Sequence, residues 1–495
     1  MGLFFCFVFV LLLQAAMHKE LNHDEQMYVS SGALLVRSQL PYVDYPYFQM
    51  PLPAFVYGVA FHGWGDLLLV ARLLNTLFAF GTCLLLFSLV WRLSVGISSL
   101  LRIALSAGSV LLYISGSQFI YTSGLAWNHD LPVLLTLVSL ALLMPGKSTG
   151  NMATRVMFSG FGLGLAASTR LLFLPAIVPF GFAIMLGSNT RSAMGLRRLI
   201  LFGIGFVLGL LPSLLFLVMS PGEFFFGNVT YHGFNEQYWR SVGYERAMTP
   251  AGKLGYAFDV LVSEPSNWLL LLGMLIVLVI VSRGPTRDRV MVVILPFLTA
   301  AALFLCALVP TPTWLQYFYA PYAMLAVAFA LGTVSLVRTR RRRLAVSLFA
   351  LVTVVSVAYS VLRYISLGNM LAVDDWAPGI VSRVGREIRE AVPAGTVVTL
   401  APIYPLQTGL DIYPGLASGP FGFRVANILS AKERAEHGLI SAEEALRLMS
   451  ERPPEGILAG SEGALEAPLV QFAIERGYKE VELSNGLSLW VRPDR

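Results

Sequence analysis

"GLFFCFVFVLLLQAAMHKELNHDEQMYVSSGALL", residues 2–35, sets an almost wholly apolar run, residues 2–17, five residues before the charged triplet His23, Asp24 and Glu25. Residues 2–17 are nearly long enough to cross hydrocarbon as a helix. Ionised side chains are costly inside a bilayer, so the triplet belongs at the watery edge of the first span. The run has a weak cleavage-like Gln14-Ala15-Ala16 but no basic segment ahead of it, which favours a retained span over a removed leader. In either case residue 18 onward emerges on the outer side.

The rest of the chain has the same character. Of 495 residues, 56% are hydrophobic and 13% charged, and mean hydropathy is +0.69. A soluble fold does not conceal that much apolar surface, so the chain reads as a polytopic membrane protein. The net charge of +6 does not mark a nucleic-acid binder. The basic residues fall in short clusters between apolar runs: Arg92 and Arg102; Lys147 and Arg155; Arg191, Arg197 and Arg198; Arg283, Arg287 and Arg289; Arg338 and Arg340 to Arg343. Acids are scarce there, the bias of cytoplasmic loops. Cys6, Cys83 and Cys306 all lie in apolar stretches and read as packing residues.

Windows of about 20 apolar residues predict a mainly α, polytopic helical bundle of about eleven spans. They lie near 2–17, 67–91, 101–122, 131–146, 156–169, 171–187, 199–219, 267–282, 290–309, 318–337 and 344–362. The count places the N-terminus inside and the C-terminus outside. Two long outer loops are expected at 18–66 and 220–267, the first with an interfacial piece, "PLPAFVYGVAFHGWG" (51–65), the second rich in aromatics. Residues 1–370 form the membrane domain and 371–495 a small outer α/β domain. The latter has a helix at "APGIVSRVGREIREAV", strands at "TVVTL" and "EGILAG", and a capping-box helix at "SAEEALRLMSE". A hairpin follows at "YKEVELSNGLSLWVR", with Asn485-Gly486 as a two-residue turn.

The polar residues at the outer mouths of the spans are the chemical candidates. His23-Asp24 follows the first span, and His129-Asp130 opens the fourth. Carboxylates from separate helices meeting at one membrane face suit general-base work or cation binding. The paired histidines admit a divalent metal (Mg, Mn or Zn) held with His23 and His129. Arg72 and Arg170 break the inside bias of the other basic residues. They read either as headgroup-snorkelling side chains or as a fork for phosphate. "VPTPTWLQYFYAPYAML" (309–325) is an aromatic belt of Trp314, Tyr317, Phe318 and Tyr319 or, through Gln316 and its prolines, a shaped loop.

Together these residues resemble the GT-C-fold, polyprenyl-phosphate-sugar-dependent glycosyltransferases. The likeness is to the family-39-like group of protein O-mannosyltransferases and the aminoarabinose transferase of lipid A. The resemblance runs through Asp24-Glu25 with Tyr28, the Pro-rich "LPYVDYPYFQMPLPAFVY" containing Asp44, and "ARLLNTLFAFGTCLLLFSLVWRL". It continues with "GLGLAASTRLLFLP" and the outer C-terminal α/β part. It implies an inverting hexosyl- or pentosyltransferase of the cell (inner) membrane, with its site on the outer, periplasmic side. The donor would be a polyprenyl-phosphate-linked sugar and the acceptor a glycan, lipid or protein. In the residues, it implies Asp24 as catalytic base, with Glu25 beside it and Asp130 as second-loop carboxylate. Arg72 and Arg170 would lie by the donor phosphate, and Tyr28, Asp44, Gln316 and Tyr317 by the acceptor. One departure stands out: where the aminoarabinose branch has Glu-Lys before its prolines, this chain has Gln49-Met50.

Two other classes fit parts of the pattern. A lipid-linked-sugar transporter or flippase would explain arginines at membrane depth. It would also be expected to show repeats and midplane polar residues, whereas the polar candidates here cluster at one face. A non-catalytic envelope-assembly protein would use the C-terminal domain for partner contacts.

Overall fold

The computed structural model describes residues 1–63, 65–144, 151–186, 193–282, 290–368 and 372–493. Lys147, Arg191, Arg283, Arg287 and Arg289, expected in cytoplasmic loops, lie outside the described residues, as does Trp64. The chain is a helical bundle with a four-stranded sheet near its C-terminus.

α1 (Gly2–His18) and α2 (His23–Val36) are not one rod; they meet at 100° across the short link that carries Lys19. α2 therefore turns away from the direction of the first span. α3 (Leu52–Phe61), the apolar piece expected at the interface, has ten residues, about 15 Å of helix, too short to cross. It packs on α2 where glycines face one another's neighbours. A Cβ on Gly32 would sit 2.6 Å from Tyr57 Cβ, and one on Gly58 2.7 Å from Leu35 Cδ2.

α4 (Leu67–Leu93) is long and apolar enough to cross, as are the segments Leu315–Val337 and Arg342–Ile365. Leu315–Val337 is the central strut, with 83% of its spanning window buried, against 33% for Arg342–Ile365. The apolar side chains the latter leaves exposed, such as Val354 and Leu362, are what a lipid-facing helix presents. By length and composition, three helices among the described residues could each cross alone, or six if three bent pairs each count as one span. Shorter apolar helices fill the remainder: α5 (Ser99–Ile114), α6 (Ser117–Thr122), α7 (Asp130–Leu143), α8 (Met152–Thr169) and α9 (Ile177–Leu186) among them. Proline accounts for part of the fragmentation: Pro175 sits in a 3-10 turn before α9, and Pro212 follows a 58° bend after α10 (Ala193–Gly209).

The small-residue run before Arg170 has a packing reason. Gly160 and Gly164 of α8 meet Gly205 and Gly209 of α10 backbone to backbone. A Cβ on Gly160 would lie 2.0 Å from Phe202 O, and one on Gly205 1.9 Å from Met157 O. This is close packing of paired small-xxx-small faces, which lets membrane helices touch without side chains between them.

In the C-terminal part, strands β1 (Val397–Thr399), β2 (Gly456–Ala459), β3 (Lys479–Glu482) and β4 (Ser488–Val491) are ordered β1-β2-β4-β3. β1 and β2 are parallel, and the other pairings antiparallel. The helix and capping-box expectations hold at Ala377–Ala391 and at Ala442–Glu451, where Ser441 and Glu444 cap reciprocally. The hairpin exists, but its turn is wider than two residues. The ladder ends at Glu482 opposite Ser488, Leu483 N–H donates to Leu487 O, and Gly486 takes φ +82°.

This part shares its core with the outer loops. Val381, Ile388 and Leu406 belong to one apolar cluster with Met27, Tyr28 and Phe48. Polar ties reinforce it: Ile403 N–H donates to Gln26 Oε1 at 3.1 Å, Ser418 Oγ to Pro46 O at 2.5 Å, and Arg37 pairs with Asp411 at 3.0 Å. The sheet is thus held rigidly over the start of α2.

Candidate active site

A cavity of about 500 Å³ opens where α2, the loops after α6 and α8, the helix Tyr231–Ser241, the 309–317 segment and the helix Pro420–Ala426 converge. Of the residues expected to carry chemistry, His23, Asp24, Tyr28, His129, Arg170, Gln316 and Tyr317 line it.

The triplet His23-Asp24-Glu25 is divided by its helix. Asn22 caps α2, its Oδ1 accepting from Asp24 N–H at 2.9 Å, and Glu25 Oε2 accepts from Asn22 N–H at 3.0 Å. That turns Glu25 into the protein and leaves His23 and Asp24 on the cavity wall. Among the described residues, the one basic neighbour of the Asp24 carboxylate within 4 Å is His23, Nε2 to Oδ1 at 3.5 Å. No hydrogen bond from a described residue ties that carboxylate down, so it is open to a substrate hydroxyl.

Arg170 is placed by the close contact of α8 with α10. It caps α8 in an extended conformation (φ −155°, ψ 121°) before the 3-10 turn Leu171–Ala176. Its Nη1 donates to Asn128 Oδ1 at 3.0 Å and contacts His129 Nε2, and its guanidinium lies 5.0 Å from the centre of the Tyr317 ring. Nε and Nη2 have no partner among the described residues, which leaves donors for an anion at the cavity. His129 sets a ring nitrogen against this cation, an arrangement that disfavours a metal ion on the same nitrogen. Among the described residues no group of three or more His, Cys, Asp and Glu is placed to hold a metal.

Four expected site residues lie elsewhere. Arg72 is fully buried and spends its donors inside the protein. Nε and Nη2 bond Glu25 at 2.9 and 2.7 Å, Nη1 bonds Ala16 O and Lys19 O, and Nη2 bonds Glu20 O. No donor remains for a phosphate. Glu25 is occupied by Arg72 and also accepts from Ala126 N–H at 2.8 Å. Asp130 is 1% exposed, accepting from Gly124 N–H at 2.7 Å and Tyr319 O–H at 2.8 Å behind the cavity wall. Asp44 closes a surface turn by accepting from Leu40 N–H at 2.6 Å.

Other residues line the cavity too. Gln49 and Met50, where the sequence departs from the aminoarabinose branch, are among them, and Gln49 Oε1 accepts from Asn128 Nδ2 at 3.0 Å. Tyr231 and Trp239 enter from the long aromatic loop, and Trp314 stands 5.5 Å from Trp239, ring centre to ring centre, near the mouth. Burial raises the Tyr231 phenol pKa, and nearby Arg424 opposes that rise. Arg424 itself comes from the C-terminal part. The signal for it was a lone arginine in the apolar, glycine-punctuated "GPFGFRVANIL", with no acid beside it.

No family model matches the sequence, and no curated protein does. Solved structures do match. The aminoarabinose transferase ArnT from Cupriavidus metallidurans, bound to undecaprenyl phosphate, aligns with a TM-score of 0.62 at 12% identity, covering 100% of this chain and 99% of that one. Its apo form aligns with a TM-score of 0.63 at the same identity. The Archaeoglobus fulgidus oligosaccharyltransferase, solved with Zn and sulfate, aligns with a TM-score of 0.51 at 13% identity over 95% of this chain and 69% of that one. The expected GT-C fold, a polytopic helical bundle with a small C-terminal α/β part, is the fold of this chain.

Proposed function

We propose that this chain is a membrane glycosyltransferase that moves a sugar from a polyprenyl-phosphate donor to an acceptor hydroxyl, with Asp24 as general base. The observation that carries the reading is a single cavity lined by an untethered carboxylate, Asp24, and by a guanidinium with free donors, Arg170. The ArnT fold, captured in that protein with undecaprenyl phosphate, supports the donor class.

The chemistry follows from the two groups. Asp24 takes the proton of the acceptor hydroxyl as its oxygen attacks the anomeric carbon on the face opposite the phosphate. The bond from the anomeric carbon to the phosphate oxygen breaks, and the electron pair leaves with the phosphate. Arg170 meets the charge that builds there, at a cavity walled in part by the aromatic loop and the C-terminal part. Displacement from the opposite face inverts the anomeric configuration, through an oxocarbenium-like transition state as in glycoside hydrolysis. Tyr28, Gln316 and Tyr317 shape the wall around the sugar.

On this reading the cavity and the C-terminal part, residues 371–495, face the outer side of the cell membrane, which the inside bias of basic clusters supports. Reporter fusions after Arg343 and after Arg495 test that placement; a cytoplasmic reporter at residue 495 overturns it. The transferase reading itself is tested by incubating the purified protein with a panel of undecaprenyl-phosphate sugars and following release of undecaprenyl phosphate. Release dependent on an added acceptor supports it, and no release from any donor overturns it.

A further inference from the structure

Arg424 sits on the helix Pro420–Ala426, in the part of the chain that covers the cavity from the side away from the membrane helices. Its residue is 6% exposed, yet no carboxylate lies within ion-pair distance among the described residues. Its one hydrogen bond is a long one, Nε to Pro420 O at 3.4 Å. Three aromatic rings hold the guanidinium: Phe421 at 4.6 Å, Tyr238 at 5.6 Å and Trp239 at 5.7 Å from ring centre. Both terminal nitrogens are left without a partner. A buried cation in that state is costly until an anion arrives.

That anion differs from the donor phosphate. A polyprenyl donor keeps its tail in hydrocarbon, so its phosphate stops at the headgroup level, where Arg170 is fixed between α8 and a 3-10 turn of the membrane bundle. Arg424 comes instead from the C-terminal part at the same cavity, and its aromatic supports are not those of Arg170. We infer that Arg424 binds a carboxylate or phosphate carried by the acceptor, and so selects an anionic saccharide or headgroup whose hydroxyl then faces Asp24. This rests on the transferase reading above. A planar fork with two free nitrogens suits a two-oxygen acid group.

The test uses the full-length protein in detergent, with undecaprenyl phosphate, glucose, glucose 6-phosphate and inorganic phosphate as probes. Tryptophan fluorescence reports binding, because Trp239 and Trp314 border the cavity. Wild type is expected to bind glucose 6-phosphate at least about tenfold more tightly than glucose, a gap of one charge-assisted contact. Arg424→Gln should erase that preference and leave undecaprenyl-phosphate affinity unchanged, whereas Arg170→Gln should do the reverse. Arg424→Lys, which keeps the charge and the fold, should retain part of the preference.

Equal binding of glucose and glucose 6-phosphate by wild type would overturn the inference. So would inorganic phosphate competing as well as the sugar phosphate, which marks a bare anion hole. Loss of undecaprenyl phosphate in Arg424→Gln would move Arg424 to the donor and overturn it too. Failure of wild type to bind undecaprenyl phosphate would instead defeat the transferase reading, and the sugar-phosphate comparison would still be readable.

Discussion

Arg72 on α4 and Glu25 on α2 form a two-bond ion pair, 2.9 and 2.7 Å, with both side chains fully withdrawn from solvent. The pair also gathers the end of α1 through Ala16 O and the loop before α7 through Ala126 N–H. Four chain segments are thus locked one residue away from Asp24. Removing one partner of such a pair strands the other charge and costs about 3–5 kcal/mol. Arg72→Ala and Glu25→Ala should therefore cut the yield of monodisperse protein and lower its thermal midpoint. Whatever protein folds should bind undecaprenyl phosphate normally. A well-folded Arg72→Ala protein that has selectively lost that ligand would restore the phosphate role to Arg72.

Arg170 carries the donor-phosphate prediction. Arg170→Ala should weaken undecaprenyl-phosphate binding by about tenfold or more, the scale of a lost charge-assisted contact. Arg170→Lys should recover only part, because an ammonium cannot bond Asn128 and an incoming phosphate with the geometry of a planar fork. Equilibrium binding to the purified variants measures this, and full affinity in Arg170→Lys would count against the role.

The α8–α10 contact makes a separate, structural prediction. At Gly205 an added methyl meets Met157 O at 1.9 Å, too near for any side chain to give way. Gly205→Ala must push the helices apart, an overpacking cost of about 1–3 kcal/mol, and shift the end of α8 that carries Arg170. Both thermal stability and donor affinity should fall. Gly203, with open space around its Cβ position, is the matched control, and Gly203→Ala should leave both measurements unchanged.

Glu462 gives a pH signature. Burial raises its pKa from the ordinary 4.5 to about 7; Arg424 opposes that rise, while Glu466 and Asp24 add to it. Between those two pH values the folded chain holds a proton that the unfolded chain has released, so stability falls as pH rises through the window. Glu462→Gln removes the penalty. It should be more stable than wild type by about 1–3 kcal/mol above pH 7, after allowance for solvent screening, and no more stable near pH 4. Thermal melts across pH 4–8 read the difference. A gap that widens toward low pH would refute the assignment.

The fold class was legible because hydropathy is a bulk property, and the order of apolar runs, basic clusters and C-terminal strands reports it directly. The breaks within the apolar runs were not, because prolines and bends of 58° to 100° divide helices in a way that hydropathy windows do not register. Asp24 and Arg170 were legible as polar residues at outer span mouths. Arg72 and Asp130 had the same signature, yet they do not line the cavity. What separates the two pairs is the partner: Glu25 for Arg72, and Gly124 with Tyr319 for Asp130. Those partners lie up to 189 positions away in sequence, so spacing cannot reveal them. Arg424 was missed for the same reason, since its place at the cavity depends on how the C-terminal part docks on α2.

Asp24→Asn tests the central claim most directly. The substitution keeps the shape of the side chain and removes its charge, and the Asn22 cap, which bonds the backbone of residue 24, is untouched. In a single-turnover assay with whichever undecaprenyl-phosphate sugar the wild type uses, transfer should fall by about 10²–10⁴-fold, the usual cost of losing a general base. Undecaprenyl-phosphate affinity and thermal midpoint should stay at wild-type values. Near-normal turnover in Asp24→Asn would contradict the account and leave the triplet as the cap of a helix.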